Sequence, residues 1–335
     1  MPLEGKNEVL TDPRNEVCLI QVKNMKTEML DEVIACMPRG KTNYHYFQGA
    51  YASRLLSMIM PQEINLHEIK KSRFNKLLEH KTVKPVLAHC GDGKLNKQTI
   101  EGIWVNPSKP FLLSISRWGS KKNWAWNQTS RPGENLVLQL NLPHEHLRNF
   151  RKWVNPDENS SLNGRWTDHP VQKQCDNKLF RETLAWARID LDFETNEALI
   201  EEIQSDGVRY VKRWAQRYKK CACKRCRERL KYVDWFDSYA KIWSEAMLMA
   251  SIWFIKNELG INRIFIHTAR SGWQMKKMDK DWNAPRSLYS DLPKKFAFKQ
   301  TWAAPDFLMN TKNYKQLIRK QPDIDFYQLT MDELH

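Results

Sequence analysis

An α+β fold is predicted for this 335-residue chain by three observations. Helical spacing dominates residues 1–84, short β-like segments follow one another from 85 to 206, and a strongly basic stretch opens the remainder at 207. A chain this long can build one large domain or two small ones with real cores. Its texture divides it into a strand-and-helix segment 1–84, a β core 85–206 and a basic, Cys-containing α/β region 207–335.

In chain order, Cys18–Val22 reads as a short apolar strand. Thr27–Met37 places Met29, Val33, Ile34 and Met37 at helical spacing before Pro38 and Gly40. Gly49–Met60 does the same with Tyr51, Leu55, Leu56 and Ile59 and stops at Pro61, and Leu66–His80 predicts a third helix. Strands are expected at Pro85–Cys90, Gly102–Val105, Phe111–Ser116, Leu136–Leu142, Leu184–Asp192 and Glu197–Ile203, with a loop over the Asn-, Asp-, Ser- and Gly-rich Asn155–Asn177. Tyr239–Leu259 carries Ile242, Ala246, Met249 and Trp253 on one face with Gly260 as its stop, and Ile261–His267 follows as a buried strand. Pro285, Pro293, Pro305 and Pro322 predict an irregular tail with short helices.

Lys plus Arg number 54 against 39 Asp plus Glu, a net charge of +15, which favours a polyanion as partner, nucleic acid ahead of a membrane surface. There is no run of about 18 apolar residues, so no membrane span is expected. Met1 to Arg14 is polar and acidic, which points to the cytoplasm. Seven cysteines do not read as a disulfide framework. The charge is concentrated: Arg209 to Lys231 holds eleven basic residues and one Glu. Arg209, Lys212, Arg213, Arg217, Lys219, Lys220, Lys224 and Arg225 are the expected phosphate contacts, with Tyr210, Trp214, Tyr218 and Tyr232 interleaved as stacking surfaces. Within the run, Cys221, Cys223 and Cys226 have a spacing at which thiolates can share one zinc ion, given a fourth ligand such as His267 or Cys175.

Three further features carry candidate chemistry. His89 is followed by Gly91 and Gly93, which let a ligand approach the backbone. Ser114 and Ser116 share one strand face by the period-2 rule, so both hydroxyls can point into one cleft. Glu202, Gln204 and Asp206 share a face of a later strand, and Glu182 directly precedes another.

The order His89, Ser114-x-Ser116, then a Glu by a later strand resembles the ADP-ribosyltransferases. The resemblance implies a split β-sheet transferase-like core, preceded by the N-terminal helices and followed by a basic helical extension. It implies NAD as substrate, bound by His89, Gly91, Ser114 and Ser116. The catalytic carboxylate is Glu182 or Glu202, with Gln204 beside the latter. Phe180 stands where that family has an acidic residue or Gln, a departure that weakens the acceptor assignment and keeps both glutamates in play. A carboxylate suits an oxocarbenium-like transition state electrostatically. The segment Glu201-Glu202-Ile203-Gln204-Ser205-Asp206, with Leu184-Ala185 and Arg188 before it and Trp243 to Gly260 after it, also resembles polyvalent proteins of phages and mobile elements. That implies a toxin or phage-defence setting, with a cognate antitoxin or accessory protein as partner. The expected function is therefore ADP-ribosyl transfer to RNA or DNA. The rival readings are a non-catalytic nucleic-acid-binding protein centred on the basic run and its cysteines, and a protein-binding accessory of a mobile element.

Overall fold

The computed structural model describes residues 27–36, 42–119, 128–154, 182–276 and 285–334. The expected strand at Cys18–Val22 and the loop at Asn155–Asn177 lie outside them. Helix α1 (Thr27–Cys36) is followed by strand β1 (Thr42–Tyr46), which the sequence reading missed, and by α2 (Ala50–Ile59). The expected helix 66–80 is broken into α3 (Leu66–Lys71) and α4 (Asn75–Leu78). Ser72 causes the break: its hydroxyl donates to Ile69 O at 2.8 Å and accepts from Phe74 N at 3.1 Å, offering the backbone an alternative to the helix.

Pro85–Cys90 is not a strand. Residues Lys84–Leu87 form a helical turn, α5, with Pro85 in the first turn, where its missing N–H costs nothing. Gly102–Val105 is likewise not a strand, since Gly102 closes helix α6 (Lys97–Glu101) by donating to Gln98 O.

Short strands β2 (Glu63–Asn65) and β3 (Lys94–Asn96) pair antiparallel with Ile64 opposite Leu95, and each runs straight into a helix capped by an Asn side chain. Leu66 N donates to Gly93 O and Lys97 N to Gln62 O, both at 2.9 Å. The two units thus repeat at an offset of 31 residues although their sequences differ.

The central sheet is continuous, not split. It adds β4 (Lys109–Trp118), β5 (Asn135–Asn141), β6 (Thr183–Asp192), β7 (Glu197–Gln204), β8 (Arg263–His267), β9 (Lys299–Thr301) and β10 (Phe326–Thr330) to β1, in the order β1-β4-β5-β6-β7-β8-β10-β9. Every neighbouring pair is antiparallel except β7 and β8. Strands from all three stretches of the chain therefore share one sheet. Between them lie α7 (Glu145–Trp153), α8 (Asp206–Tyr218), α9 (Lys224–Ala240), α10 (Trp243–Trp253), α11 (Ala269–Met275), α12 (Leu292–Lys295), α13 (Asp306–Met309) and α14 (Lys312–Lys320).

One face of the sheet carries Phe111, Leu113, Leu138, Leu140, Ala187, Ile189 and Ile200 into the main core with α2 and α10. Helix α10 is buried over Glu245–Ile252, as expected of a helix that is apolar nearly all round. The opposite face differs between its halves. Toward β8 and β10, Leu199, Phe265 and Phe326 pack with Met275, Phe307 and Leu308. Toward β4, β5 and β6 the only apolar cluster among the described residues is Trp118, Val137 and Trp186, set among polar side chains.

A candidate functional site on the polar half of the sheet

Register places these polar residues in rows. Ser116 lies opposite Val137, Val137 opposite Arg188, and Arg188 opposite Glu202; the next row is Ser114, Gln139, Trp186 and Gln204. The expected faces, Ser114 with Ser116 and Glu202 with Gln204, are thus joined into one surface spread over four strands. Ser114 is engaged within it: its Oγ donates to Gln139 Oε1 at 3.0 Å and accepts from Asn141 Nδ2 at 2.8 Å, while Thr183 Oγ1 donates to Asn141 Oδ1 at 2.7 Å.

Arg188 dominates the electrostatics. Its side chain is 1% exposed, its Nη2 donates to Glu202 Oε2 at 2.7 Å, and its guanidinium lies 5.1 Å from the Trp118 ring, which stacks against Trp186 at 6.1 Å. Among the described residues its Nε and Nη1 are buried without a hydrogen-bond partner, as are Ser116 Oγ, Gln139 Nε2 and Asn135 Oδ1. Burying a charged donor without acceptors costs more than burying a neutral one. Several such atoms on one sheet face make it a candidate site for a polar ligand.

Beside this face the parallel strands part. Pairing of β7 with β8 runs from Glu197 opposite Arg263 to Ile200 opposite Ile266; then β8 ends at His267 while β7 continues to Gln204. At that point β7 carries one extra residue relative to β6, because Arg188 pairs with Glu202 and Ile189 with Ile200. The extra residue is Glu201, and the bulge re-aims its carboxylate. Glu201 accepts from Ser130 N at 2.9 Å, Ser130 Oγ at 2.8 Å and His267 Nε2 at 3.1 Å. His267 Nδ1 meets Ser271 Oγ at 3.0 Å, and Lys276 Nζ donates to Glu201 O at 2.8 Å. Ser130 is held in place by its neighbour Arg131, which forks onto Asp190 at 2.7 and 2.9 Å.

Burial alone would raise the Glu201 carboxyl, but the hydrogen bond from His267 and the charges of Lys276 and Arg188 outweigh it and bring the pKa down to about 2. Burial lowers His267, against the pull of Glu201, so a neutral imidazole donates from Nε2. Burial also lowers Lys276 and raises Tyr289, a residue within electrostatic reach of Glu202 and Arg188. Ser130, His267 and Glu201 are not a nucleophilic relay, because Ser130 and Glu201 share the same ring nitrogen.

His89 and Gly91 are not part of this site. His89 is exposed after α5, with its Nδ1 2.9 Å from Pro85 O, and Gly91 is exposed in the loop before β3. Glu182 is also elsewhere. Asn141 pairs with Thr183 but Leu140 with Ala185, so Leu184 is extra and reverses the alternation below it. Thr183 joins the polar face, whereas Glu182 comes within electrostatic reach of Tyr232 on α9.

All eight expected phosphate contacts, Arg209, Lys212, Arg213, Arg217, Lys219, Lys220, Lys224 and Arg225, are exposed. Tyr218 and Tyr232 are buried and Trp214 packs 6.3 Å from Phe150, so these rings face inward and are not stacking surfaces. Cys221, Cys223 and Cys226 do come together, with their sulfurs within 4.8 Å of one another, and can hold a metal ion. Cys221 donates to Cys223 at 3.2 Å, which lowers the Cys223 thiol to about 7; hydrogen bonding with Cys221 raises Cys226 to about 12. His267 is not the fourth ligand, since Ser271 and Glu201 occupy both of its ring nitrogens. Cys175 lies outside the described residues.

Sequence reasoning missed Arg188, Gln139 and Asn135 at the site, and Ser130, Glu201, His267 and Ser271 beside it. The alternation of Asn135, Gln139 and Asn141 in an otherwise apolar strand was the available signal for the first group. Compared with protein-family models, curated proteins and solved structures, the chain shows no match.

Proposed function

We propose that the polar face of β4 to β7 is the substrate site of a transferase that takes a nucleotide-diphosphate donor, NAD first, and moves its ADP-ribosyl group to nucleic acid. The observation that carries this reading is Arg188, a buried guanidinium whose Nε and Nη1 have no acceptor among the described residues, flanked by Ser116 and Gln139. A phosphate or amide oxygen satisfies such donors, and the ring pair Trp118 and Trp186 offers a planar group an aromatic wall.

Glu202 replaces Glu182 as the carboxylate, because it alone of the two shares the face of the serines. In the reaction the bond between ribose C1′ and nicotinamide breaks, nicotinamide leaves as a neutral base with the bonding pair, and the acceptor bonds to C1′ and loses a proton. Glu202 stabilises the positive charge that develops on the ribose. The exposed basic residues of α8 and α9 recruit the acceptor by its phosphates. Zinc at Cys221, Cys223 and Cys226 belongs to this reading as a structural ion, outside the transfer chemistry.

The test incubates the protein with NAD and, separately, acetyl-coenzyme A, which shares the adenosine diphosphate moiety, in the presence of RNA and DNA. Nicotinamide release and label transfer that vanish in Glu202→Gln and Arg188→Gln support the reading. Thiol release from coenzyme A keeps the site but replaces the donor. If neither donor turns over while RNA still binds, the non-catalytic reading favoured by the exposed basic helices takes its place.

A further inference from the structure

We propose that Cys221, Cys223 and Cys226 form a three-thiolate zinc site with a solvent-facing fourth position, which fastens the end of α8 to the start of α9. Cys221 lies in the turn after α8, Cys223 is the N-cap of α9 and Cys226 lies in its first turn. The Cys223 sulfur already accepts from Cys226 N at 3.4 Å, so cap and cluster share one atom. Tetrahedral zinc with Zn–S bonds of about 2.3 Å sets its sulfurs roughly 3.8 Å apart. The sulfurs lie near that spacing, 3.2 Å apart between Cys221 and Cys223 and within 4.8 Å across the cluster.

Charge fits as well as distance. Three thiolates and one Zn²⁺ carry a net single negative charge, and Lys219, Lys220, Lys224, Arg225 and Arg227, all exposed around the turn, stabilise it. The field that would repel a bare cation thus suits the thiolate complex. Three ligands make up the cluster among the described residues, and Cys223 is exposed, so the fourth position is open to solvent. Closing the ring through the metal fixes the angle between α8 and α9 and with it the spacing of their basic residues. This last consequence rests on the proposed role of those helices as the nucleic-acid surface; the metal site itself does not.

Two measurements separate the parts. The full chain, reduced and stripped with chelator, is titrated with Co²⁺ and then Zn²⁺, following the thiolate-to-cobalt charge-transfer absorption. One equivalent of tetrahedral cobalt, displaced by zinc, lost in Cys223→Ser and unchanged in Cys90→Ser, is expected. Absence of a saturable one-to-one complex, or retention of the full absorption in Cys223→Ser, overturns the site, as does a Cys221–Cys223 disulfide that persists under the reductant. RNA binding by the same samples is expected to fall several-fold on chelation and to recover with zinc in the parent chain only. If zinc binds one-to-one and RNA affinity is unmoved, the coupling of metal to the basic surface is overturned while the metal site stands.

Discussion

Glu201 and His267 face one another where the parallel strands β7 and β8 part, with Glu201 Oε2 3.1 Å from His267 Nε2 and both side chains fully buried. One is the bulged residue of β7 and the other the last residue of β8. Their contact, with Ser130 as third partner, closes the sheet at the point where backbone pairing stops, beside the candidate site around Arg188.

Removing one partner leaves the other buried and unsatisfied. Glu201→Ala is therefore expected to destabilise the protein by roughly 3–5 kcal/mol, and His267→Ala by a similar amount. The double variant costs less than the two singles added together. Urea unfolding of the four proteins checks this; strict additivity would separate the two residues.

Acid is expected to unfold the protein early. Glu201 has its pKa depressed from 4.5 to about 2, so its contribution is present above 4.5 and is lost as pH falls toward 2. His267 and His146 are held neutral by burial, His146 down to about 3, so both favour the folded state above 6.5 and oppose it as pH drops below that. The denaturant midpoint should decline steadily from pH 7 to 3, and Glu201→Gln should flatten the part below 4.5. A midpoint constant over that range contradicts the assignment.

Arg188→Gln keeps a polar donor but removes the charge and the contact with Glu202, which is only partly buried and can take up water instead. We expect modest destabilisation, about 1–2 kcal/mol, and loss of donor binding by at least tenfold. Calorimetry with NAD, read beside a thermal melt, distinguishes loss of a ligand contact from loss of fold.

Lys212, Arg213 and Arg217 replaced together by Ala should weaken RNA and DNA alike and lower the slope of log affinity against log salt by about 2–3. Nicotinamide release in the absence of nucleic acid should be unaffected. An unchanged salt slope would place the nucleic acid elsewhere.

Gly49 has φ +86° and a side chain there would overlap the His80 imidazole, while its N–H donates to Glu245 at 3.2 Å. Gly49→Ala is expected to cost roughly 1–3 kcal/mol, measured by thermal melting. Stability equal to the parent would show that the turn relaxes freely.

Much of the architecture was legible in the sequence where a pattern repeats within one element. The strands at Phe111–Ser116, Leu136–Leu142, Leu184–Asp192 and Glu197–Ile203 appear within a residue or two of their expected places, as do the helices near 27–37 and 49–60 and the exposed basic surface of α8 and α9. These follow from side-chain period and from local charge, which each segment carries by itself. The shared face of Ser114 and Ser116 is of this kind.

What lay beyond the sequence was everything set by pairing between distant strands. Two single-residue bulges, at Leu184 and Glu201, decide that Glu182 leaves the face of the serines and that Glu202 stays on it, because one extra residue reverses the alternation of all that follows. Pro85, read as part of a strand, instead begins a helical turn and carries His89 away from the sheet. The identity of Arg188 as a buried charge with donors to offer, and of Glu201, Ser130 and His267 as one cluster, depends on which segments are brought together across gaps of 66 to 137 residues. Local propensity fixes the elements; only the tertiary register, through burial and the need to satisfy buried polar groups, determines which side chains meet.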